Sequence, residues 1–154
     1  MTGPSATLPA TMDDDERETL LRIYRETRTI AVVGASADQE KAAYRIPAYL
    51  QRQGYRIHPV NPRGGTILGE SVATSLADVQ GPVDVVDVFR PAAEAVEVAR
   101  QAVDIGAKVL WLQLGIVSDE ARGIAEAAGL TVVMDRCMGA VHRQLGLGPL
   151  TPAA

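Results

Sequence analysis

Residues 29–61 read TIAVVGASADQEKAAYRIPAYLQRQGYRIHPVN, and this stretch decides the fold. Thr29–Gly34 is a short apolar run rich in β-branched residues, the composition of a strand covered on both faces. Tyr44–Gln53 reads as a helix, and Gly54 supplies the positive φ that ends one. Tyr55–Asn61 is a second, more polar and alternating strand. Pro47 is tolerated in the first turn of a helix and disruptive later, so the helix is expected to begin near Ala43–Arg45. The loop after the first strand is then about eight or nine residues long, roomier than the tight first turn of a standard dinucleotide fold.

The same unit recurs down the chain. Val83–Phe89, Lys108–Leu114 and Leu130–Asp135 are further apolar strands. Pro91–Ile105 and Ser118–Ala128 are the helices between them, closed by Gly106 and Gly129. Pro91 suits a first turn and Ser118 an N-cap. Strand–helix–glycine–strand repetition is the signature of right-handed βαβ crossovers. The expected architecture is therefore α/β: a Rossmann-like, doubly wound, mainly parallel five-stranded sheet with helices on both faces. A helix from Asp13 to about Arg28 precedes it, with Asp13 and Glu16 at capping-box spacing and an apolar stripe of Leu20, Leu21, Ile23 and Tyr24. Thr66–Val79 breaks the rhythm and reads as a small extra strand or loop followed by a helical turn. Residues 1–12 are expected to be a flexible tail, 13–146 a single domain, and 147–154 a C-terminal tail.

Composition narrows the function. The 154 residues suffice for one domain, and 47% apolar with 22% charged residues is ordinary for a folded one. No apolar run approaches the roughly 18 residues of a membrane span, and Met1–Met12 lacks the basic and apolar regions of a signal peptide. One cysteine, Cys137, cannot form an internal disulfide, so a cytoplasmic, reducing compartment is expected. The net charge of −4 argues against non-specific nucleic-acid binding. Charge is also unevenly spread. Lys41, Arg45, Arg52, Arg56 and Arg63 fall in a stretch, 41–69, without a single Asp or Glu, and outside it ten basic residues face 19 acidic ones. Such a block reads either as a local anion site or as a helix face that happens to be basic.

Ligands of these sheets bind beyond the carboxyl ends of the strands. After the first strand, Gly34-Ala35-Ser36-Ala37-Asp38-Gln39-Glu40-Lys41 is neither G-x-G-x-x-G nor a P-loop. Gly34 would allow close backbone approach, Ser36 can donate to a phosphate oxygen, and Lys41 with the next helix N-terminus adds positive potential. A purely structural turn is the alternative. After the second strand, His58-Pro59-Val60-Asn61-Pro62-Arg63 lacks the carboxylate that holds a ribose 2′-OH in NAD enzymes. That disfavours NAD and leaves NADP or coenzyme A (CoA). Asn61 can hydrogen-bond a base or ribose, and Arg63 suits an additional phosphate; Asn61-Pro62 also reads as an ordinary turn. Phe89 and Arg90 offer stacking beside a base, or core packing in the case of Phe89.

Taken in order, VVGAS, Lys41, GYRIHPVNP, VDVVDVFRP, WLQLGI and VVMDRC resemble the stand-alone CoA-binding domain proteins, small Rossmann-like proteins akin to the CoA-binding domain of the succinyl-CoA synthetase α subunit. The resemblance covers about residues 15–146. It implies CoA binding, with Gly34, Ala35, Ser36 and Lys41 at the phosphates, and Val60, Asn61, Pro62, Phe89, Arg90 and Pro91 at the adenosine. CoA carries roughly four negative charges at neutral pH, a suitable partner for a basic stretch. Gln113 and Gly115 would border the pantetheine path or form an ordinary turn. The larger ligase carries a phosphorylated histidine in a second domain, for which this chain has no room.

No catalytic group is expected. His58 reads as a packed or edge histidine. Cys137 and His142, five apart, share no helical face, and Val141 stands where some relatives carry a Glu. Cys137 reads as a buried free thiol, with a mixed disulfide to CoA the alternative. Trp111 reads as core. Asp84 and Asp87, three apart in a strand, point to opposite faces and are no carboxylate pair. Two distant histidines and one cysteine make no metal site. The expected function is a CoA- or acyl-CoA-binding module without chemistry of its own. An NADP-dependent oxidoreductase or other nucleotide-binding Rossmann protein is the alternative, and a regulatory protein that senses acyl-CoA for a partner the sequence does not name is a third reading.

Overall fold

The computed structural model describes residues 12–151; of the N-terminal tail expected over 1–12, residues 1–11 lie outside them. Eight elements build the main layers: helix α1 (Asp14–Glu26), β1 (Thr29–Val33), α2 (Ala42–Arg52), β2 (Arg56–Val60), then β5 (Val85–Val88), α3 (Ala92–Asp104), β6 (Val109–Leu112) and α4 (Asp119–Ala127). β7 (Thr131–Val133) and α5 (Met138–Gln144) complete them. Between β2 and β5 lie a two-residue hairpin, β3 (Thr66–Ile67) with β4 (Glu70–Ser71), and a 3₁₀ turn at Leu76–Asp78. The sheet order is β2-β1-β5-β6-β7 with every neighbour parallel. It is the Rossmann-like, doubly wound α/β sheet that the sequence pattern predicts.

Alternation along the strands sorts two cores. Ile30 and Val32 of β1, Ile57, Val85, Val109 and Trp111 face Leu20, Ile23 and Tyr24 of α1, Leu50 of α2 and Met138 and Val141 of α5. Ala31, Val60, Val86, Val88, Leu110 and Leu112 face the small residues Ala95, Ala99 and Ala102 of α3 and Ala121 and Ala125 of α4. The chain thus leaves β1 over one face and β5 over the other. The switch of direction lies between those two adjacent strands, where a crevice opens at the carboxyl ends.

Several expectations are corrected. Asp13 caps α1, its carboxylate accepting from Glu16 N at 2.7 Å. The reciprocal half of the capping box is absent, because the Glu16 carboxylate grips Arg136 in two bonds of 2.8 and 3.0 Å. α2 begins at Ala42, so Pro47 sits in its second turn and is buried. A further helix, α5, follows β7 where the sequence pattern predicts none; its N-cap is Cys137, whose Sγ accepts from Ala140 N. In the C-terminal tail, Leu147 and Leu150 pack against the core, and Leu150 N donates to Gln53 O at 2.7 Å.

Candidate functional site

Three loops meet at the carboxyl rim, and backbone bonds stitch them together. Gly34 N donates to Val60 O at 3.0 Å, Phe89 N to Val33 O at 2.9 Å, and Asn61 N to Ala73 O at 2.9 Å. Gly34 takes φ +87°, and a Cβ there would lie 2.9 Å from the Phe89 carbonyl and 2.8 Å from Arg90 Cδ. Only glycine lets the first loop pass this close to the turn after β5.

Pro47 helps shape the first loop. A residue at 47 would ordinarily donate its N–H to Ala43 O; proline has none to give. Ser36 N takes that carbonyl instead, at 3.2 Å, tying the loop to the first turn of α2. Ser36 Oγ accepts from Asp38 N, and Asp38 Oδ1 from Glu40 N, both at 3.0 Å. Asn61 is a second tie: its amide donates to Ala35 O at 2.7 Å while its oxygen accepts from Arg63 N at 2.8 Å. Its side chain therefore fixes two loops to each other.

A cleft of about 380 Å³ lies beside this junction, between the ends of β1 and β2 and the first three turns of α3. Gly34, Val60 and Pro62 form one wall, Thr74, Ser75 and Leu76 a second, and Arg90, Glu94, Val98 and Gln101 the third. Of the expected site residues, the structure brings Gly34, Val60, Pro62 and Arg90 to the cleft wall. Ala35, Ser36 and Asn61 stand in the loops behind it. Arg90 is engaged in a two-bond pair with Glu94 at 2.8 and 3.0 Å, both side chains about half exposed. Lys41, exposed at the N-cap of α2, and exposed Arg63 and Pro91 lie on the rim loops outside the wall. Phe89 is half-buried and packs against the α1/α2/α5 core, so its packing reading holds.

The five cations of the basic stretch are divided among different surfaces. Arg45 and Arg52 line a groove between α2 and α5. Arg56 borders a different hollow beside the hairpin. Only Lys41 and Arg63 stay on the rim loops.

Other polar residues have structural roles that spacing did not show. Asp84 lies at the amino end of the sheet, accepting from Arg28 N at 2.8 Å and Thr29 N at 3.1 Å. Those bonds and Lys108 outweigh its burial and hold its pKa below the usual value. Asp87 is fully buried near the end of β5; Gln113 donates to Oδ1, and Oδ2 has no partner among the described residues. Burial raises its pKa to about 7, against the opposing bond from Gln113. In the Asp135-Arg136-Cys137 run, Asp135 (φ +58°) accepts from Gly115 N at 2.7 Å, and Arg136 O accepts from Trp111 Nε1 at 2.7 Å. His142 is buried, its Nδ1 paired with Tyr49 Oη at 2.7 Å. Burial chiefly, and then the Arg143 charge, lower its pKa, while a backbone hydrogen bond at Gly148 opposes them. An acidic residue inside the apolar run VDVVDV was the signal that could have marked Asp87; nothing local marked the Tyr49–His142 pair. Among the described residues no helix is long and apolar enough to cross a membrane, and no group of His, Cys, Asp and Glu is arranged to hold a metal ion.

Comparison with known proteins supplies the remaining evidence. The family model described as CoA binding domain matches residues 28–143. The chain is 34% identical to the uncharacterized protein YneT of Bacillus subtilis over 131 residues, which cover 85% of this chain and 97% of that protein. It is 38% identical to a solved structure from Thermus thermophilus, cell-free ID.343, with a TM-score of 0.81 and coverage of 87% of this chain and 99% of the other. It is also 24% identical over 139 residues to the α subunit of an ADP-forming acetate–CoA ligase II of Pyrococcus furiosus. There the match covers 83% of this chain but only 30% of that subunit.

Proposed function

This chain belongs to the CoA binding domain family, and from that premise we propose that it binds CoA or an acyl-CoA at the carboxyl rim and performs no chemistry alone. The observation that carries the reading is the cleft at the switch point, walled by Gly34, Val60 and Pro62, with no carboxylate at the end of β2. A ribose 2′-OH finds no acidic acceptor there, whereas a phosphorylated ribose meets no repulsion from that strand end.

In this reading the adenosine lies in the cleft against Val60, Pro62 and the Phe89-Arg90-Pro91 turn. The phosphates lie over Gly34, Ala35 and Ser36, with Lys41 and Arg63 reaching in from the rim. Asn61 positions the loops and does not itself need to touch the ligand. Arg90 exchanges part of its pairing with Glu94 for the anionic ligand. Neither Cys137, which caps α5, nor His142, buried on Tyr49, is offered to this cleft, which supports binding without catalysis. A cytoplasmic setting and a regulatory role, sensed by a protein partner, complete the proposal.

Calorimetry with CoA, 3′-dephospho-CoA and NADPH tests it. CoA is expected to bind tightest, with affinity falling as salt rises. Lys41→Ala should weaken CoA binding by roughly 1–3 kcal/mol, the value of a charge-assisted hydrogen bond to phosphate. Preference for NADPH, or unchanged CoA affinity in the variant at low salt, overturns the reading.

A further inference from the structure

The groove between α2 and α5 is separate from the CoA cleft and shares no lining residue with it. It has a volume of about 270 Å³ and is lined by Tyr44, Arg45, Tyr49, Arg52, Gly139 and Arg143, with Ile46 and Ala48 at its base. Arg45, Tyr49 and Arg52 are spaced four and three along α2 and so share one face of that helix. Gly139 and Arg143 are spaced four along α5 and share another.

Three guanidinium groups thus enclose one concavity with no carboxylate in its wall. Five cations elsewhere, Arg90, Arg100, Lys108, Arg122 and Arg136, have carboxylate partners; among the described residues these three have none. In a protein whose other regions are acidic, such a pocket concentrates positive potential.

The walls are also pre-organised. Gly139 lets the helices approach until a Cβ there would meet Ile46 Cδ1 at 3.3 Å. Buried His142 fixes the Tyr49 hydroxyl at 2.7 Å, and the Arg143 guanidinium lies over the Tyr49 ring, 4.3 Å from its centroid. Arg45 is steered by its Nε bond to Glu40 O at 3.3 Å, which leaves its terminal nitrogens for another acceptor. Side chains held this way lose little freedom when an oxyanion arrives.

We propose that this groove is a second anion site, taking a phosphate group, either free or at the end of a phosphate monoester, between Arg45, Arg52 and Arg143. Phosphate matches the forked donors of arginine better than a monatomic anion does.

The test titrates the full chain with inorganic phosphate and, separately, glycerol phosphate in low-salt buffer, following the Gly139 amide by NMR and heat by calorimetry. Saturable binding of either probe with a shift at Gly139 is expected; which one binds more tightly identifies the source of the phosphate. Arg143→Gln and, separately, Arg45→Gln, which leaves the Tyr49 contact intact, should each weaken it about ten-fold or more. Lys41→Ala should leave phosphate binding unchanged, and both arginine variants should bind CoA within about two-fold of the wild type. Failure of both probes to saturate, or undiminished binding in both arginine variants, overturns the proposal whatever the outcome for CoA.

Discussion

Asp87 offers a test of how this sheet tolerates a charge. Its carboxyl is fully buried, with one oxygen bonded to Gln113 and the other unpartnered among the described residues. Burial raises its pKa from 3.8 to about 7. The folded state therefore binds this proton more tightly than the unfolded chain does. The resulting stabilisation is fully present below pH 3.8 and is lost as pH rises through about 7. Three decades of proton affinity correspond to about 4 kcal/mol. Asp87→Asn keeps the shape and the acceptor for Gln113 but cannot ionise. The measurement is urea unfolding of wild type and variant across pH 4.5 to 8.5. The stability difference between them is the readout, since it cancels every other titrating group. An unpartnered amide adds a pH-independent cost of roughly 1–3 kcal/mol, so the slope and not the intercept decides. The variant should gain on the wild type by several kcal/mol between the two ends of the range, with most of the gain complete by about pH 7. A difference that stays flat across the range refutes the argument that desolvation governs this carboxyl.

Two further outcomes follow from the rim. Gly34→Ala places a Cβ 2.9 Å from the Phe89 carbonyl at φ +87°. It should cost roughly 2 kcal/mol or more, lower the melting temperature by roughly 5 °C and weaken CoA binding; an unchanged melt with unchanged affinity contradicts the close-approach argument. Pro47→Ala restores an N–H that competes with Ser36 for Ala43 O. Amide exchange at Ser36 should accelerate about ten-fold even as α2 itself becomes more regular, and unaltered protection at Ser36 would show that the loop is held by other means.

The fold was legible because each level of the sequence agreed with the next. β-branched runs gave the five strands, and glycines at 54, 106 and 129, all with positive φ, gave the helix ends. What escaped was set by tertiary contact. α5 has a cysteine for an N-cap and seven residues, too little pattern to stand out from a loop. Glu16 had the spacing to return to its own N-cap, but a nearly buried arginine 120 residues away offered a stronger, two-bond partner. Asn61 has the chemistry to read a ribose, and one of its N–H groups and its oxygen are also bonded to two backbone groups within the protein. Residue type announces what a side chain can do; only the fold says which partner reaches it first.

The basic stretch shows the same limit in its charge. Five cations within residues 41–63 look like one site when counted along the chain. The secondary structure that the same residues encode forbids that. Arg56 opens β2 and Arg63 lies three residues past its end, so a five-residue strand of roughly 3.3 Å per residue separates them. Arg45 and Arg52, seven apart in α2, fall on one helical face, and that face turns toward α5. Periodicity therefore divides the block into a rim portion, Lys41 and Arg63, and a groove portion, Arg45 and Arg52, which Arg143 joins from α5. A substitution in one portion should leave the affinity of the other intact, because groove and cleft share no lining residue. On the proposed reading, four of the five cations divide between two anion sites, and Arg56 borders the hollow beside the hairpin.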